Sequence, residues 1–366
     1  MKYEPFVMER TQSIWEHRVE LNLSESGVSP LTLGELLEGQ DVLDTRLSYP
    51  PTQGTEELRE RIADLYPGAN SDSVLVTTGA AEANYIAVLS QLGPGDEAVV
   101  MMPNYMQVWG LARSLGATVK ALNLREELSW APDLDELRKL VTNKTKLIAL
   151  CNPNNPTGAV MSEDTMRDIA KIAGGVGAVI LADEVYLGAE LEGDVSATFY
   201  GWYDRLMVTS GLSKAYGLPG LRIGWIVSDR ERTAHLWSYK DYTTISASSL
   251  SDRLAAVALE PSHRKRILER TQKILNQQIP TLAEFVERHE GRLSFVRPKA
   301  GAIAFIRYDW PINSTKLFER IRDEKSVLIV PGDHFERDSY VRIGYGYDAK
   351  KLEQGLSRVS DFLHRL

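Results

Sequence analysis

The 366-residue chain contains a single cysteine, Cys151. One thiol closes no intrachain disulfide and supplies no multi-cysteine metal cage. It ends the apolar run Leu147-Ile148-Ala149-Leu150, where a thiol reads as a buried structural group rather than a nucleophile. Long hydrophobic stretches are missing too: no run reaches the ~18 apolar residues that a membrane span needs. The amino terminus, MKYEPFVMERTQSIWEHRVE, carries charges throughout and no apolar signal core, so we expect a soluble, cytoplasmic protein. Basic residues are not in excess: 42 Lys and Arg stand against 50 Asp and Glu, a net charge of −8. Such a balance excludes a nucleic-acid partner, which needs a basic face, but leaves room for a small anionic ligand held by local arginines. There is no G-x-G-x-x-G fingerprint and no P-loop, so a dinucleotide or nucleoside triphosphate site is not supported. Internal repeats, low-complexity tracts and long linkers are absent as well, which predicts closely packed domains.

What is present reads as an α/β protein. A composition with 43% hydrophobic and 25% charged residues is that of an ordinary globular chain, and the length suffices for two domains. Residues 1–45 form an entry segment that begins like a helix and joins the smaller domain. From about 46 to 255, short apolar strand candidates (74–78, 97–101, 119–122, 146–150, 178–182, 206–209, 223–227) alternate with helices, among them 105–115, 133–140 and 163–174. That alternation predicts a large domain with a mainly parallel central sheet, whose ligands gather at the carboxyl ends of the strands. The pattern changes in residues 256–366: a helical stretch over 263–289, bent or interrupted at Pro280, then strands near 294–297, 302–307, 327–330 and 340–344 and helices near 315–324 and 349–364. This is a smaller α+β domain.

Chemistry-bearing residues follow the predicted strands. Gly79-Ala80-Ala81 opens a helix after 74–78, and free N–H groups at such a start favour a phosphate. Tyr105, after 97–101, either packs in the core or lays its ring over a planar heterocycle. After 146–150 comes Cys151-Asn152-Pro153-Asn154-Asn155-Pro156-Thr157-Gly158, a stiff loop suited to fixing an amide against a ligand oxygen. After 178–182 comes Asp183-Glu184-Val185-Tyr186; a buried strand-end carboxylate needs a partner, either the following segment or a protonated heterocyclic nitrogen. Finally Ser210-Gly211-Leu212-Ser213-Lys214 leads through a glycine-rich loop to Arg222. Lysine forms Schiff bases with aldehydes, and the planar arginine fork holds phosphates; pyridoxal 5′-phosphate (PLP) presents both groups.

On these residues the chain resembles the class I/II aminotransferases, PLP enzymes of fold type I, from about Leu21 to the closing helix. The strongest matches are Asn152–Gly158, Asp183–Tyr186 and Ser213–Arg222. The resemblance implies that Lys214 carries the Schiff base and shuttles protons, that Asp183 pairs with the pyridinium nitrogen, and that Asn155 and Tyr186 hydrogen-bond the phenolic oxygen. It implies Tyr105 stacked on the ring, and Gly79, Ala80, Ala81, Ser213 and Arg222 around the phosphate. Tyr49 resembles the tyrosine that reaches the neighbouring subunit's phosphate, which implies a homodimer with shared sites. Arg342 resembles the arginine that clamps the substrate α-carboxylate. The expected activity is transfer of an α-amino group between an amino acid and a 2-oxo acid.

Two positions depart from the family pattern. A hydroxyl residue is common where this chain has Ala81, and a serine is common where it has Gly211, so the phosphate cup leans on backbone N–H groups, Arg222, Tyr49 and Ser210. A fainter resemblance, in Ser26-Gly27-Val28, Thr32-x-Gly34-Glu35-Leu36 and Asp241-Tyr242-Thr243-Thr244, is to enzymes of the capreomycidine synthase type, which cyclise a hydroxylated arginine. It implies an alternative lyase, cyclase or oxidase-type chemistry, with Gly27 beside the substrate and Glu25 either pairing a guanidinium or simply solvated.

Overall fold

The computed structural model of the protein describes residues 3–366. Its strands, in chain order, are β1 (Leu21–Asn22), β2 (Val74–Thr77), β3 (Glu97–Met102), β4 (Thr118–Asn123), β5 (Thr145–Cys151), β6 (Val179–Asp183), β7 (Leu206–Gly211), β8 (Gly224–Val227), β9 (Leu293–Phe295), β10 (Ile303–Tyr308), β11 (Val327–Leu328), β12 (Val330–Pro331) and β13 (Tyr340–Gly344). The seven strands expected between 74 and 227 are all present, with ends shifted by one or two residues.

These seven form one sheet in the order β2-β8-β7-β6-β5-β3-β4. All its pairings are parallel except those of β8, which runs against both β2 and β7. Successive side chains of a strand point to opposite faces, and here each face meets its own core. Val99, Ile148, Ile180 and Val208 belong to one apolar cluster, whereas their neighbours Val100, Leu147, Leu181 and Met207 belong to the other. Burial on both faces is why these strands read as unbroken apolar runs rather than alternating ones.

Helix termini show why the covering helices begin and end where they do. In Glu163–Val176, the Ser162 hydroxyl accepts from the Thr165 N–H, and Gly177, at φ 70°, closes the last turn in the left-handed region. Met166, Ile169, Ala170 and Ala173 form the buried stripe between. Helices Arg230–Lys240 and Ser249–Leu259 escape the sequence reading. The first buries only Thr233, Leu236 and Lys240, too sparse a stripe to announce itself.

Pro280 does not interrupt its helix. Pro261–Glu287 runs as one element with Pro280 inside, so of the two expectations, a bend or an interruption, the interruption does not occur. Proline in a helix interior costs about 3 kcal/mol; the fully buried Leu275, Ile279 and Leu282 around it bury enough apolar surface to offset that, at roughly 2 kcal/mol per side chain.

The carboxyl-terminal part carries the antiparallel sheet β12-β13-β10-β9. The expected strand at 327–330 splits into β11 and β12, because β11 turns aside to pair in parallel with β1. That pairing continues as Leu23 N–H to Leu328 O and Gly344 N–H to Leu23 O. It draws residues 23–28 along the edge of β13 and across the strand ends of the large sheet. No helix among the described residues is long and apolar enough to cross a membrane.

Candidate active site

The carboxyl ends of β5 and β6, the loop after β7, the helix that follows β2, and residues of the entry segment and β13 enclose a cavity of about 240 Å³. Asp183 is the last residue of β6, level with Cys151 and Thr209 on its neighbours. Its Oδ2 accepts from Asn84 Nδ2 at 2.8 Å and its Oδ1 from the Val185 N–H at 3.1 Å. Asn84 is itself oriented by the Thr209 hydroxyl, which donates to Asn84 Oδ1 at 2.7 Å. Burial raises the Asp183 pKa, and these two bonds only partly counter it. An ionised carboxylate here calls for a cation in the cavity.

Lys214 follows β7 and donates from Nζ to Ser26 Oγ at 2.8 Å. Burial lowers its pKa, with Glu25 acting in the opposite direction. The backbone at Gly27 supports this lysine from behind: a Cβ there would lie 3.2 Å from Ser213 O and 3.7 Å from Lys214 Cδ. Tyr186 also lines the cavity. Its hydroxyl is buried without a partner among the described residues, and burial pushes its pKa up.

Of the two adjacent asparagines in the 152–158 loop, Asn154 builds the loop and Asn155 faces the cavity. Asn154 donates to Pro103 O at 3.2 Å and accepts from the Thr157 hydroxyl at 2.6 Å. Asn155 Oδ1 accepts from Arg342 Nη1 at 3.1 Å, which leaves its amide N–H groups for a ligand. Arg342, on β13, is 1% exposed. Its Nη2 donates to Ser24 O at 2.7 Å, while Nε has no partner. Among the described residues no carboxylate pairs with this guanidinium. A buried guanidinium in that condition is costly until an anion arrives.

Gly79, at φ 82°, precedes the helix Ala80–Gln91. The Arg222 guanidinium lies directly against this helix start: a Cβ on Gly79 would fall 2.4 Å from Arg222 Nη2. Arg222 Nη1 donates to Pro219 O at 3.1 Å and reaches Ser213 Oγ at 3.4 Å. A cation set against the positive end of a helix is unfavourable alone and favourable once a phosphate lies between them. Together with the orphaned Tyr186 hydroxyl and the uncompensated Asp183, this makes the residues present fit PLP.

Gly211 explains one departure from the family pattern. It pairs with Gly224 at the end of the β7–β8 ladder, and a Cβ there would sit 2.8 Å from Ile223 O. Installing the serine common in the family therefore overpacks the site. We expect Gly211→Ser to lose about 1–3 kcal/mol of stability without tightening PLP, as checked by thermal unfolding and cofactor titration. Ser210 does not take over: its hydroxyl donates to Glu184 O at 3.1 Å, and it does not line the cavity.

The structure thus gathers Ala80, Ala81, Tyr105, Asn155, Asp183, Tyr186, Ser213, Lys214, Arg222 and Arg342 around one cavity, with Gly79 and Gly27 immediately behind its walls. Tyr49 lies elsewhere. It is 86% exposed and borders a separate surface hollow with Ser48 and Asp252. Tyr105 precedes its helix (Gln107–Ser114) instead of starting it, and its hydroxyl donates to Glu9 Oε1 at 3.0 Å.

Residues that sequence reasoning missed are Asn84, Ser26, Met8, Glu9 and Gln12, all in the cavity wall. Asn84 was findable, since it sits four residues after Ala80 and so shares its helix face. Nothing local marks Met8, Glu9 and Gln12. The carboxylate in the wall is Glu9; Glu25 stays outside it, acting on Lys214 only through its charge.

A sequence model of the family described as aminotransferase class I and II matches residues 35–359. Capreomycidine synthase of Streptomyces vinaceus is 33% identical over 353 residues, 94% of this chain and 90% of that protein. An aspartate aminotransferase of Thermotoga maritima is 27% identical over 327 residues, 87% of this chain and 84% of that protein. Among solved structures, a PLP-dependent aminotransferase from Streptococcus suis superimposes with a TM-score of 0.93 at 35% identity, covering 100% of this chain and 99% of that one.

Proposed function

The chain belongs to the aminotransferase class I and II family, enzymes of PLP fold type I whose cofactor is pyridoxal 5′-phosphate, and we propose that it moves the α-amino group of an amino acid to a 2-oxo acid. One observation carries the reading. A buried lysine of lowered pKa, a strand-end aspartate without a cation and a buried arginine without an anion share one small cavity.

When bound, the cofactor supplies the electron sink for charge developing at the substrate α-carbon. The chain's residues supply placement and protons. Asp183 keeps the ring nitrogen protonated, and the Asn84–Thr209 pair holds its carboxylate in line. Tyr186 and the free amide N–H of Asn155 donate to the phenolic oxygen. Tyr105 covers the ring. The Gly79–Ala81 helix start, Ser213 and Arg222 hold the phosphate, with Tyr49 reaching that of a second copy in a homodimer. Arg342 takes the substrate carboxylate on the donors it does not spend on Ser24 and Asn155. Lys214, freed from the cofactor, would take the α-proton of the amino acid as a neutral amine, and would give a proton to the α-carbon in the reverse half-reaction with a 2-oxo acid. Its lowered pKa suits a group that must be free base near neutrality.

A second reading, cyclisation or elimination on a substrate of the arginine type, is favoured by the 33% identity to capreomycidine synthase and by a carboxylate in the cavity wall. The two readings separate when the PLP-loaded protein meets a panel of amino acids with no oxo acid present. Stoichiometric conversion to pyridoxamine phosphate, reversed by a 2-oxo acid, is the expected outcome. Repeated turnover without that conversion rules out transamination as the main activity.

A further inference from the structure

We propose that the substrate side chain ends in a cation, a guanidinium or an ammonium group, and that Glu9 selects it. This rests on the reading above, in which Arg342 holds the α-carboxylate and Lys214 meets the α-amino group.

Those two anchors leave the substrate side chain the wall made by the helix Val7–Trp15. Its residues Met8, Glu9 and Gln12 line the cavity and pack over the carboxylate anchor. Met8 Sδ lies 3.8 Å from Arg342 Nη1, and Gln12 Nε2 donates to Ser24 O and Oγ at 3.1 and 3.0 Å, on the residue whose carbonyl receives Arg342 Nη2. Gln12 has therefore spent its donors and keeps an acceptor oxygen. Glu9 Oε1 accepts from the Tyr105 hydroxyl at 3.0 Å, which fixes the carboxylate without neutralising it. No ion pair to Glu9 occurs among the described residues, although acidic side chains of this protein often find one.

The polar groups that this wall offers are acceptors with a net negative charge. The basic side chains on the chain's own cavity wall, Lys214, Arg222 and Arg342, are all committed to the amino group, the phosphate and the α-carboxylate. A second carboxylate on the substrate would face Glu9 and be repelled, while a cation would gain a charge-assisted bond. An apolar side chain would desolvate the Glu9 carboxylate without giving it a contact partner, leaving only its longer-range attraction to Lys214 and Arg342.

The test uses unreactive acids that lack the α-amino group, bound to the PLP-loaded protein and followed by calorimetry: 5-guanidinopentanoate, hexanoate and glutarate. We expect 5-guanidinopentanoate to bind roughly ten- to a hundredfold more tightly than either of the others, as a charge-assisted bond implies. Glu9→Gln keeps the Tyr105 contact, so it is expected to erase that preference, while hexanoate, no longer set against a carboxylate, binds at least as tightly as before. Retained or tightened hexanoate binding also shows that the variant is folded. Glutarate binding as tightly as the guanidino acid, a preference that survives Glu9→Gln, or no binding of any probe overturns the proposal. Arg342→Gln separates the two levels. If it weakens all three probes and no guanidinium preference exists, only this inference falls. If it weakens none, the site reading falls and takes the inference with it.

Discussion

Lys214→Ala is expected to lower turnover by about 10⁴-fold, the upper range for removing a positioned general acid–base, and to abolish the Schiff-base absorbance of the cofactor. The nearest other polar groups are poorly suited to replace it. The Ser26 hydroxyl, 2.8 Å from Nζ, is far too weak a base, and Asp183 is committed to Asn84 and Val185. Partial rescue by added small primary amines would mark the loss as one of proton transfer rather than folding. The same residue sets a pH dependence in the cofactor-free protein. Burial lowers the Lys214 pKa, so between that lowered value and the ordinary lysine value the unfolded chain binds more protons than the folded one. Over that window the stability of the cofactor-free protein rises with pH. Lys214→Met removes this slope and is expected to stabilise the cofactor-free protein at neutral pH, read by chemical unfolding at a series of pH values. A variant with unchanged slope would refute the assignment of that slope to Lys214.

Asp183→Asn is expected to lower kcat/KM by roughly 3–5 kcal/mol, or two to four decades, the usual result of removing one partner from a buried ion pair. The neutral amide cannot hold the ring nitrogen protonated, so the electron sink weakens although the cofactor still binds through Lys214 and the phosphate cup. Retained Schiff-base absorbance alongside lost turnover is the signature to look for. Loss of both would place the defect in cofactor retention. Burial raises the Asp183 pKa, so ionising it destabilises the cofactor-free fold as pH rises through and above the ordinary carboxylate range. The neutral amide of the Asp183→Asn variant lacks that penalty, and PLP titration should therefore stabilise the native protein more than the variant.

Some of this was local in origin and therefore legible in the chain. The strands 74–77, 145–151 and 179–183 are short apolar runs closed by polar turn residues, and a strand buried on both faces must be written that way. Lys214, Asp183 and Asn155 each end or follow such a run within a few residues, and Arg222 lies two residues before the next one, so finding the strand ends finds them too. The glycine at 211 was legible as a departure but not as a necessity; only the 2.8 Å approach of a would-be Cβ to Ile223 O gives the reason. Helix Arg230–Lys240 was not legible because its buried stripe is thin, and Pro280 does not interrupt its helix because local propensity yields to the packing of Leu275, Ile279 and Leu282.

By itself, then, the amino-acid sequence determined the α/β architecture and the cofactor class, and it singled out most of the candidate residues that line the cavity, since each follows from patterns a few residues long. The wall that meets the substrate side chain was decided by the tertiary structure alone. Met8, Glu9 and Gln12 reach the cavity because the entry segment pairs through β1 with β11, more than 300 residues away in the chain. No short-range pattern records a pairing over that separation, so a single carboxylate on an ordinary amphipathic helix acquires its meaning only when the chain closes on itself.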